Sequence, residues 1–347
     1  MEETQLPGQP EKAGCANCGS EHIVEGYPTV LCAGCRELFI KYPVPLSIKI
    51  FAGAILILLL SSMFSFPKHL TLGLHLEKGK QYEKNHEYKA AQREFELVAQ
   101  QLPRNVEANG HLLIAAFYNQ DFQTCYKASE RLDNINIEDN ELYQKMSAVT
   151  ARAGDYYADD SLAVFLQTMG DSSGHIPDTA FRTWLTSHPH NVYAMLSYAS
   201  NLYDEANYTV CDSVLKDILK FDAEYTPALR LLATSQREQQ LYDEAILTSN
   251  KILIINKDAG YAYAIKARIY LKQQKDALAL EQALKAVEKD KSDPYNSATL
   301  ALAYHFNNQP GKRDAVIKEA QALNDSSATR HIQYALDVIN KKENFRN

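Results

Sequence analysis

The sequence predicts an all-α protein: a solenoid of helix-turn-helix repeats, preceded by a small cysteine-bearing head and one transmembrane helix. Three observations support this prediction. Small and aromatic residues recur with a 34-residue period from residue 72 onward. Two Cys-x-x-Cys pairs lie near the start of the chain, and an apolar run, Leu46–Phe66, separates them from the repeats. Only 14 glycines and 12 prolines in 347 residues also favour helices over a turn-rich β fold.

The composition argues against several classes of function. The formal net charge of −7 gives no basic footprint for wrapping a nucleic acid. The chain contains no G-x-S-x-G, no H-E-x-x-H and no glycine-rich phosphate loop. We therefore expect a protein that is not an enzyme and has no small-molecule substrate.

The head begins with residues 1–13, which are polar, contain two prolines and are predicted to be disordered. Residues 14–36 then carry four cysteines. Two intervening residues let both thiolates of a Cys-x-x-Cys pair reach one metal ion, so two such pairs make a tetrahedral site. The four candidate metal ligands are Cys15, Cys18, Cys32 and Cys35.

This pattern resembles a zinc ribbon. The resemblance implies a structural Zn²⁺ with no open coordination position, tight turns at Gly19 and Gly34, and short strands at 23–24 and 28–31. A rubredoxin-like iron site and a redox-active dithiol pair are the alternatives. A head of this size buries little apolar surface, so metal binding would supply its folding energy.

The apolar run predicts a transmembrane helix over 44–66. A helix of 21 residues is roughly 30 Å long, about the thickness of the hydrocarbon core of a bilayer. A buried core helix is the alternative. Lysines and arginines are nearly balanced on its two sides and do not set its orientation. Because thiolates persist in a reducing compartment, we expect the head in the cytosol and the repeats in the periplasm or outside the cell.

The repeats start at residue 72. In the first unit the marker residues at positions 8, 11, 20, 24 and 32 are Gly79, Tyr82, Ala91, Phe95 and Pro103. This pattern resembles the tetratricopeptide repeat, which implies two antiparallel helices, A and B, in each unit. Further units begin in the same pattern at Val106, Asn140, Val192, Thr226, Gly260 and Pro294.

The register breaks once, because Val192 resumes the period 18 residues late. We therefore divide the array into units 1–3 over 72–173, an insertion or degenerate repeat over 174–191, units 4–7 over 192–327 and a capping helix over 328–345. Within the third unit, 143–153 is predicted as helix A and 159–169 as helix B, followed by a loop at 170–174. An extra helix is predicted over 178–187.

The remaining cysteines and a histidine pair have structural interpretations. Cys125 and Cys211 both occupy position 20 of their units, where a small buried residue is expected. His188 and His190 flank Pro189, and we expect them to be exposed rather than to bind a metal.

The resemblance also implies a ligand groove lined by positions 2, 5, 9 and 12 of each helix A. The residue types found there, tyrosine and arginine, dominate binding hot spots. The candidate partner-binding residues are Tyr193, Arg230, Arg237, Tyr261, Arg268, Tyr295 and His305. Ordinary amphipathic surface residues are the alternative interpretation.

The leading hypothesis is a membrane-anchored scaffold whose groove binds a protein or peptide, with some preference for acidic or C-terminal carboxylate groups. The positions of the family's chaperone-tail clamp hold Leu76, Lys80 and His111 here, which argues against that ligand. The alternative is a transmembrane regulator in which partner binding changes the contacts of the zinc ribbon, including contacts with nucleic acid.

Overall fold

The computed structural model describes residues 14–40, 44–170, 176–322 and 326–346, without the side chains of 40, 62–68 and 326–329. The predicted disorder of 1–13 and most of the loop at 170–174 therefore lie outside the described residues. The chain divides into two compact units, residues 1–70 and 71–347.

The described residues form seventeen α-helices and one single-turn 3-10 helix, Gly154–Tyr156. The helices of the head, the apolar run and the first three repeats are α1 (Ala33–Ile40), α2 (Leu46–Lys84), α3 (Tyr88–Gln101), α4 (Val106–Tyr118), α5 (Phe122–Leu132) and α6 (Asn140–Ala153). The later helices are α7 (Asp160–Met169), α8 (Asp178–Ser187), α9 (Val192–Asp204), α10 (Tyr208–Phe221), α11 (Thr226–Glu238), α12 (Tyr242–Ile255), α13 (Gly260–Lys272), α14 (Asp276–Lys289), α15 (Pro294–Phe306), α16 (Pro310–Gln321) and α17 (Ser326–Ile339).

The head differs from the predicted ribbon. Over 14–40 no β-strand forms, and the strands expected at 23–24 and 28–31 are replaced by isolated backbone hydrogen bonds. Val24 N donates to Leu31 O at 3.0 Å and Ala16 N to Val30 O at 2.9 Å. Gly34 lies within α1 rather than in a tight turn. Two short segments joined by so few hydrogen bonds do not form a β-sheet. The cysteine cluster is therefore the main feature that organises the head.

The apolar run forms the first part of α2. Contrary to the transmembrane helix predicted over 44–66, no helix in the described part of the chain is both long and apolar enough to cross a membrane. The side chains of 62–66, at the end of the predicted segment, are outside the described set. Large apolar side chains between 46 and 60 are exposed, among them Phe51, Ile57 and Leu58.

The predicted all-α, tetratricopeptide-like solenoid is confirmed in the second unit. The first helices of the later repeats, α4, α6, α9, α11, α13 and α15, begin at the residues expected from the sequence. Close packing explains the marker residues: Ala91 and Phe95 are fully buried between the two helices of the first repeat. The turn between helices A and B repeats as well, with a left-handed residue at His86, Gln120, Ala206, Gln240, Gln274 and Asn308.

The irregular region is paired differently from the prediction. After α6 the chain makes the 3-10 turn Gly154–Tyr156 in place of a full second helix. Helix α7 then packs on α8, and α8 on α9. Leu162, Leu166, Phe181 and Trp184 form the core between α7 and α8. Helices α7 and α8 are therefore a degenerate repeat, whereas α7 was expected as helix B of the third unit.

The array folds back on itself, and the register break lies within the bend. Arg152, at the end of α6, pairs with Asp222 at 2.9 Å and Glu224 at 3.1 Å in the loop before α11. Beside this ion pair, the Tyr225 hydroxyl donates to Asp155 O at 2.9 Å, and the Tyr225 ring contacts that of Tyr156.

Similar contacts continue back to the first repeat. Successively earlier repeats contact successively later loops, so the two parts of the array run antiparallel. Gln120 Nε2 donates to Thr226 Oγ1 at 2.6 Å, and Lys257 N donates to His86 O at 2.8 Å. Asp258 accepts a hydrogen bond from Ala90 N at 3.0 Å. Turns of the early repeats thus dock along loops of the later ones, an arrangement not expected for an open solenoid.

The chain ends by covering the last repeat. The predicted capping helix is present as α17, and it packs chiefly on α15. Beyond it, Phe345 is buried in the same core as Leu271 and Ile332. Arg346 stacks on Phe306 and pairs with Asp276. The C-terminal segment is therefore part of the folded array.

Candidate binding groove and metal centre

The four head cysteines form a cluster with the dimensions of a metal site. Their Sγ atoms all lie within 4.8 Å of one another. A tetrahedral Zn²⁺ with Zn–S bonds of about 2.3 Å separates its sulfurs by about 3.8 Å, so small shifts would complete it. Cys15 and Cys35 are buried and Cys18 is exposed. The residues present therefore fit a structural ion with four thiolate ligands.

Local backbone geometry presents these thiols. Gly19 has a φ of +72°, which turns the chain after Cys18, and its N–H donates to Cys15 O at 2.8 Å. Two donors point at sulfur: Cys35 N lies 3.4 Å from Cys32 Sγ, and Asn17 Nδ2 lies 3.3 Å from Cys35 Sγ. Such donors stabilise thiolates, the form that binds a metal.

The thiols perturb one another. Hydrogen bonding, chiefly from the backbone of Cys32, lowers the pKa of Cys15 to about 6. At Cys18 a backbone hydrogen bond from Ser20 lowers the pKa, but the thiols of Cys35, Cys32 and Cys15 outweigh it and raise the pKa to about 12. The Cys15 thiol thus ionises readily, while the Cys18 thiol resists a second negative charge. A bound divalent cation relieves that conflict, because its positive charge stabilises the thiolates that coordinate it.

The second unit carries a groove of about 970 Å³ on the side formed by the first helices of the later repeats. Its walls come from α9, α11, α13, α15, α17 and the first residue of α10, Tyr208, with Gln120 contributed by the folded-back early repeats. Ser197 and Ser200 are small residues on its α9 side. The groove is thus long, open and lined by several elements, as expected for a peptide site rather than an enclosed small-molecule pocket.

The structure brings most of the predicted groove residues together. Five of them line this groove: Tyr193, Arg230, Arg237, Arg268 and Tyr295.

The other two candidates lie elsewhere. Tyr261 packs beneath the guanidinium of Arg230, whose carbon lies 5.0 Å from the ring centroid, and supports it. His305 lines a separate cavity of about 440 Å³ with Phe306 and the C-terminal segment. Burial lowers the pKa of His305, and the positive charges of Arg313, Arg346 and Lys341 add to the effect.

Sequence reasoning missed several lining residues. Tyr203 occupies position 12 of the unit that begins at Val192, so the repeat register contained the signal. Arg330, His331 and Tyr334 come from α17, which begins two residues before the next 34-residue step after Pro294. That helix was expected only as a cap, so its residues were not assigned to the groove.

The arginines of the groove differ in their partners. Arg237 Nε donates to Glu238 Oε1 at 2.8 Å, and Lys272 also pairs with Glu238 at 3.3 Å. Arg268 is as deeply buried, at 6% exposure, but its hydrogen bond goes to the neutral Thr299 Oγ1 at 2.8 Å. Burial lowers the pKa of Arg268. The groove floor therefore combines a compensated arginine with an uncompensated one.

The pKa of Tyr295 reflects the positive charge of these arginines. Its ring centroid lies 4.2 Å from the Arg268 guanidinium carbon and 5.6 Å from that of Arg230. Burial alone would raise the pKa of its hydroxyl, yet the positive charges of Arg268, Arg237 and Arg230 leave it lowered. The groove is locally electropositive in a protein of net charge −7.

The other sequence expectations concern residues outside the groove. Cys125 and Cys211 are buried as predicted, and burial raises the pKa of each to about 11. His188 and His190 are exposed, and the His188 ring stacks on Trp184 with centroids 4.0 Å apart. Within the described residues the head cysteines alone form a group suited to a metal.

Comparisons with known proteins give structural similarities only. No family model matches the chain, and no curated protein matches it. Among solved structures, a tetratricopeptide repeat protein from Parabacteroides merdae is 13% identical, covering 78% of this chain and 99% of its own, with a TM-score of 0.41. MamA from Desulfovibrio magneticus is 12% identical, covering 60% and 99%, with a TM-score of 0.34. TTC0263, a thermophilic tetratricopeptide repeat protein of Thermus thermophilus, is 17% identical, covering 67% and 98%, with a TM-score of 0.28. The repeat assignment rests on the helix register of this chain.

Proposed function

We propose that this protein is a non-enzymatic scaffold whose repeat array binds a peptide segment of a protein partner. The supporting observation is the groove lined by α9, α11, α13, α15 and α17, where aromatic rings and arginines face one open cavity. Such side chains bring large contact area and directed hydrogen bonds at a low cost in side-chain entropy. On this proposal the head is a small domain that is folded around a structural Zn²⁺ on its four cysteines.

Membrane anchoring is the second part of the proposal. The exposed apolar residues at 46–60 surround their helix instead of forming one stripe. A helix that is apolar all round needs a non-aqueous environment. On this proposal the segment 44–66 inserts once into a membrane, with the head in the reducing cytosol and the array on the other side.

The nucleic-acid alternative has less support. Residues 14–40 contain one lysine or arginine, Arg36, against three glutamates. The Arg36 guanidinium stacks on Tyr27 at 3.6 Å and donates to Thr29 O at 2.9 Å. A head of this charge does not attract a phosphate backbone.

Groove occupation is tested by filling the groove. Ser200 is exposed on α9 and lines the groove, whereas Ser213 is exposed on α10 and does not. Peptides selected from a displayed random library on the full-length protein in detergent should lose about tenfold or more in affinity with Ser200→Trp. Ser213→Trp should bind them like the wild type. Equal binding by both variants would place the site elsewhere.

Anchoring is tested separately. The full-length protein should remain in the membrane pellet after carbonate extraction, and a variant lacking 46–66 should be released. With Ser213→Cys, an impermeant maleimide should label the array in intact cells. Labelling only after lysis would reverse the proposed orientation.

A further inference from the structure

Arg268 is a buried cation without an anionic partner. Only 6% of it is exposed, and no described carboxylate lies within ion-pair distance. Its Nη2 atom is buried and donates no hydrogen bond. A buried guanidinium with an unused donor destabilises a fold unless something compensates it. The arrangement suggests that the compensating group arrives with a ligand.

The surroundings of Arg268 suit an anion. Arg230 approaches the same Tyr295 ring from a half-buried position and forms no ion pair with a described residue. The nearby carboxylate of Glu238 is already shared by Arg237 and Lys272. Two guanidinium groups without carboxylate partners therefore face one end of the groove.

Aromatic rings restrict the shape of that anion. The Arg268 guanidinium carbon lies 4.2 Å from the Tyr295 ring centroid and 5.7 Å from that of Tyr334. A site between two rings favours a flat group, and a guanidinium binds a carboxylate through two parallel hydrogen bonds in its own plane. A planar carboxylate matches this setting better than a tetrahedral phosphate.

We propose that Arg268 and Arg230, flanked by Tyr295 and Tyr334, form a subsite for a carboxylate of the bound peptide. The carboxylate comes from a glutamate or aspartate side chain or from the C-terminus of the peptide. This inference rests on the proposed function, because it assigns the chemistry of one end of the same groove. Helix α17, which supplies Tyr334, is on this account part of the binding site as well as a cap.

The test uses four pools of five-residue peptides, acetylated and labelled with a neutral dye, whose other positions are mixtures of neutral residues. The pools carry a central glutamate, a central glutamine, a central glutamine with a free C-terminal carboxylate, or a central phosphoserine. All except the free-acid pool end in an amide. Binding to the full-length protein in detergent is measured by fluorescence anisotropy, for the wild type and for Arg268→Met, Arg230→Gln and Ser200→Trp. Arg93→Gln, an exposed arginine on α3, is the matched control.

The wild type should prefer the glutamate or the free-acid pool over the glutamine pool by about tenfold, the effect of one charge-assisted contact. Arg268→Met should abolish that preference, Arg230→Gln should reduce it, and Arg93→Gln should leave it unchanged. The melting temperature of unliganded Arg268→Met should equal or exceed that of the wild type, since an uncompensated buried charge is removed. A purely structural arginine would lower it instead.

Other outcomes separate the two proposals. Equal binding of the glutamate, free-acid and glutamine pools, all blocked by Ser200→Trp, would overturn the carboxylate subsite and leave the peptide groove intact. Tighter binding of the phosphoserine pool through Arg268 would overturn the assignment to a carboxylate. Failure of every pool to bind would overturn the proposed function and the subsite with it.

Discussion

At the scale of single residues, close packing of the two helices of a repeat requires a small residue at position 8. Gly79 occupies position 8, and a Cβ built there would lie 2.5 Å from Cε1 of the buried Phe95 ring. A Cβ added at Gly73, earlier in the same helix α2, would meet no neighbouring atom within 4 Å. The two glycines therefore form a natural pair for comparison.

Gly79→Ala should destabilise the array by about 1–3 kcal/mol, because the ring or the helix must shift to admit the methyl group. Gly73→Ala should be neutral or stabilising by up to about 1 kcal/mol, since alanine favours the helix and meets nothing. Urea unfolding followed by circular dichroism measures both. Equal effects would show that helix propensity, not contact with Phe95, governs position 8.

The Arg237–Glu238–Lys272 group gives a pH-dependent prediction. Burial raises the pKa of Glu238, but Arg237 and Lys272 outweigh burial and leave it below its ordinary value of 4.5. Its contribution to stability is therefore complete above pH 4.5 and is lost as the pH falls through the lowered pKa.

Melting temperatures between pH 7 and pH 3 should show Glu238→Gln well below the wild type at neutral pH, with the gap closing in acid. Glu244→Gln, at an exposed position of α12, should show no such gap. A constant difference across the range would mean that Glu238 acts through packing rather than through its charge.

At the scale of elements, the head depends on its cysteines because its described residues form one helix and isolated turns. Chelation, or Cys15→Ser, should release about one metal ion per chain and unfold the head. Metal content by mass spectrometry and proteolysis within 14–40 report the change. Cys125→Ser should retain the metal, since that thiol is buried in the array. Loss of metal without increased proteolysis would show that the head folds independently of it.

How far the elements follow from the sequence depends on whether their cause is local. Helix starts at Val106, Thr226 and Gly260 were predictable because the 34-residue period reflects contacts inside each hairpin. The pairing of α7 with α8 was not, because the markers of the third unit are weak and the choice depends on the core around Trp184. The α17 wall of the groove also depends on tertiary packing.

At the scale of the whole array, the fold-back is held by contacts between distant residues. Glu87, the N-cap of α3, makes no capping bond with its side chain, and Asp258 instead accepts from Ala90 N. Asp258 is buried and pairs with Lys289 at 2.9 Å. One carboxylate thus caps a helix of the first repeat from 168 residues away.

Asp258→Ala should cost about 1–3 kcal/mol, because it removes this cap and leaves the half-buried Lys289 without its partner. Combined with Arg152→Ala, it should separate the early repeats from the later ones and increase the radius of gyration measured by small-angle X-ray scattering. Asp243→Ala, at an exposed position of α12, should do neither. A compact double variant would show that the apolar contacts at Tyr225 suffice.

The fold-back also bears on how the chain acquires its structure. Ordinary solenoids fold from neighbour to neighbour, so each repeat can form soon after it is synthesised. Here α3 receives its cap from Asp258, so the first repeat is completed only after most of the chain exists. Contacts of such high sequence separation slow folding. The early repeats therefore face a period in which their docking edge is uncovered, during which chaperones or a folding partner would have their greatest effect.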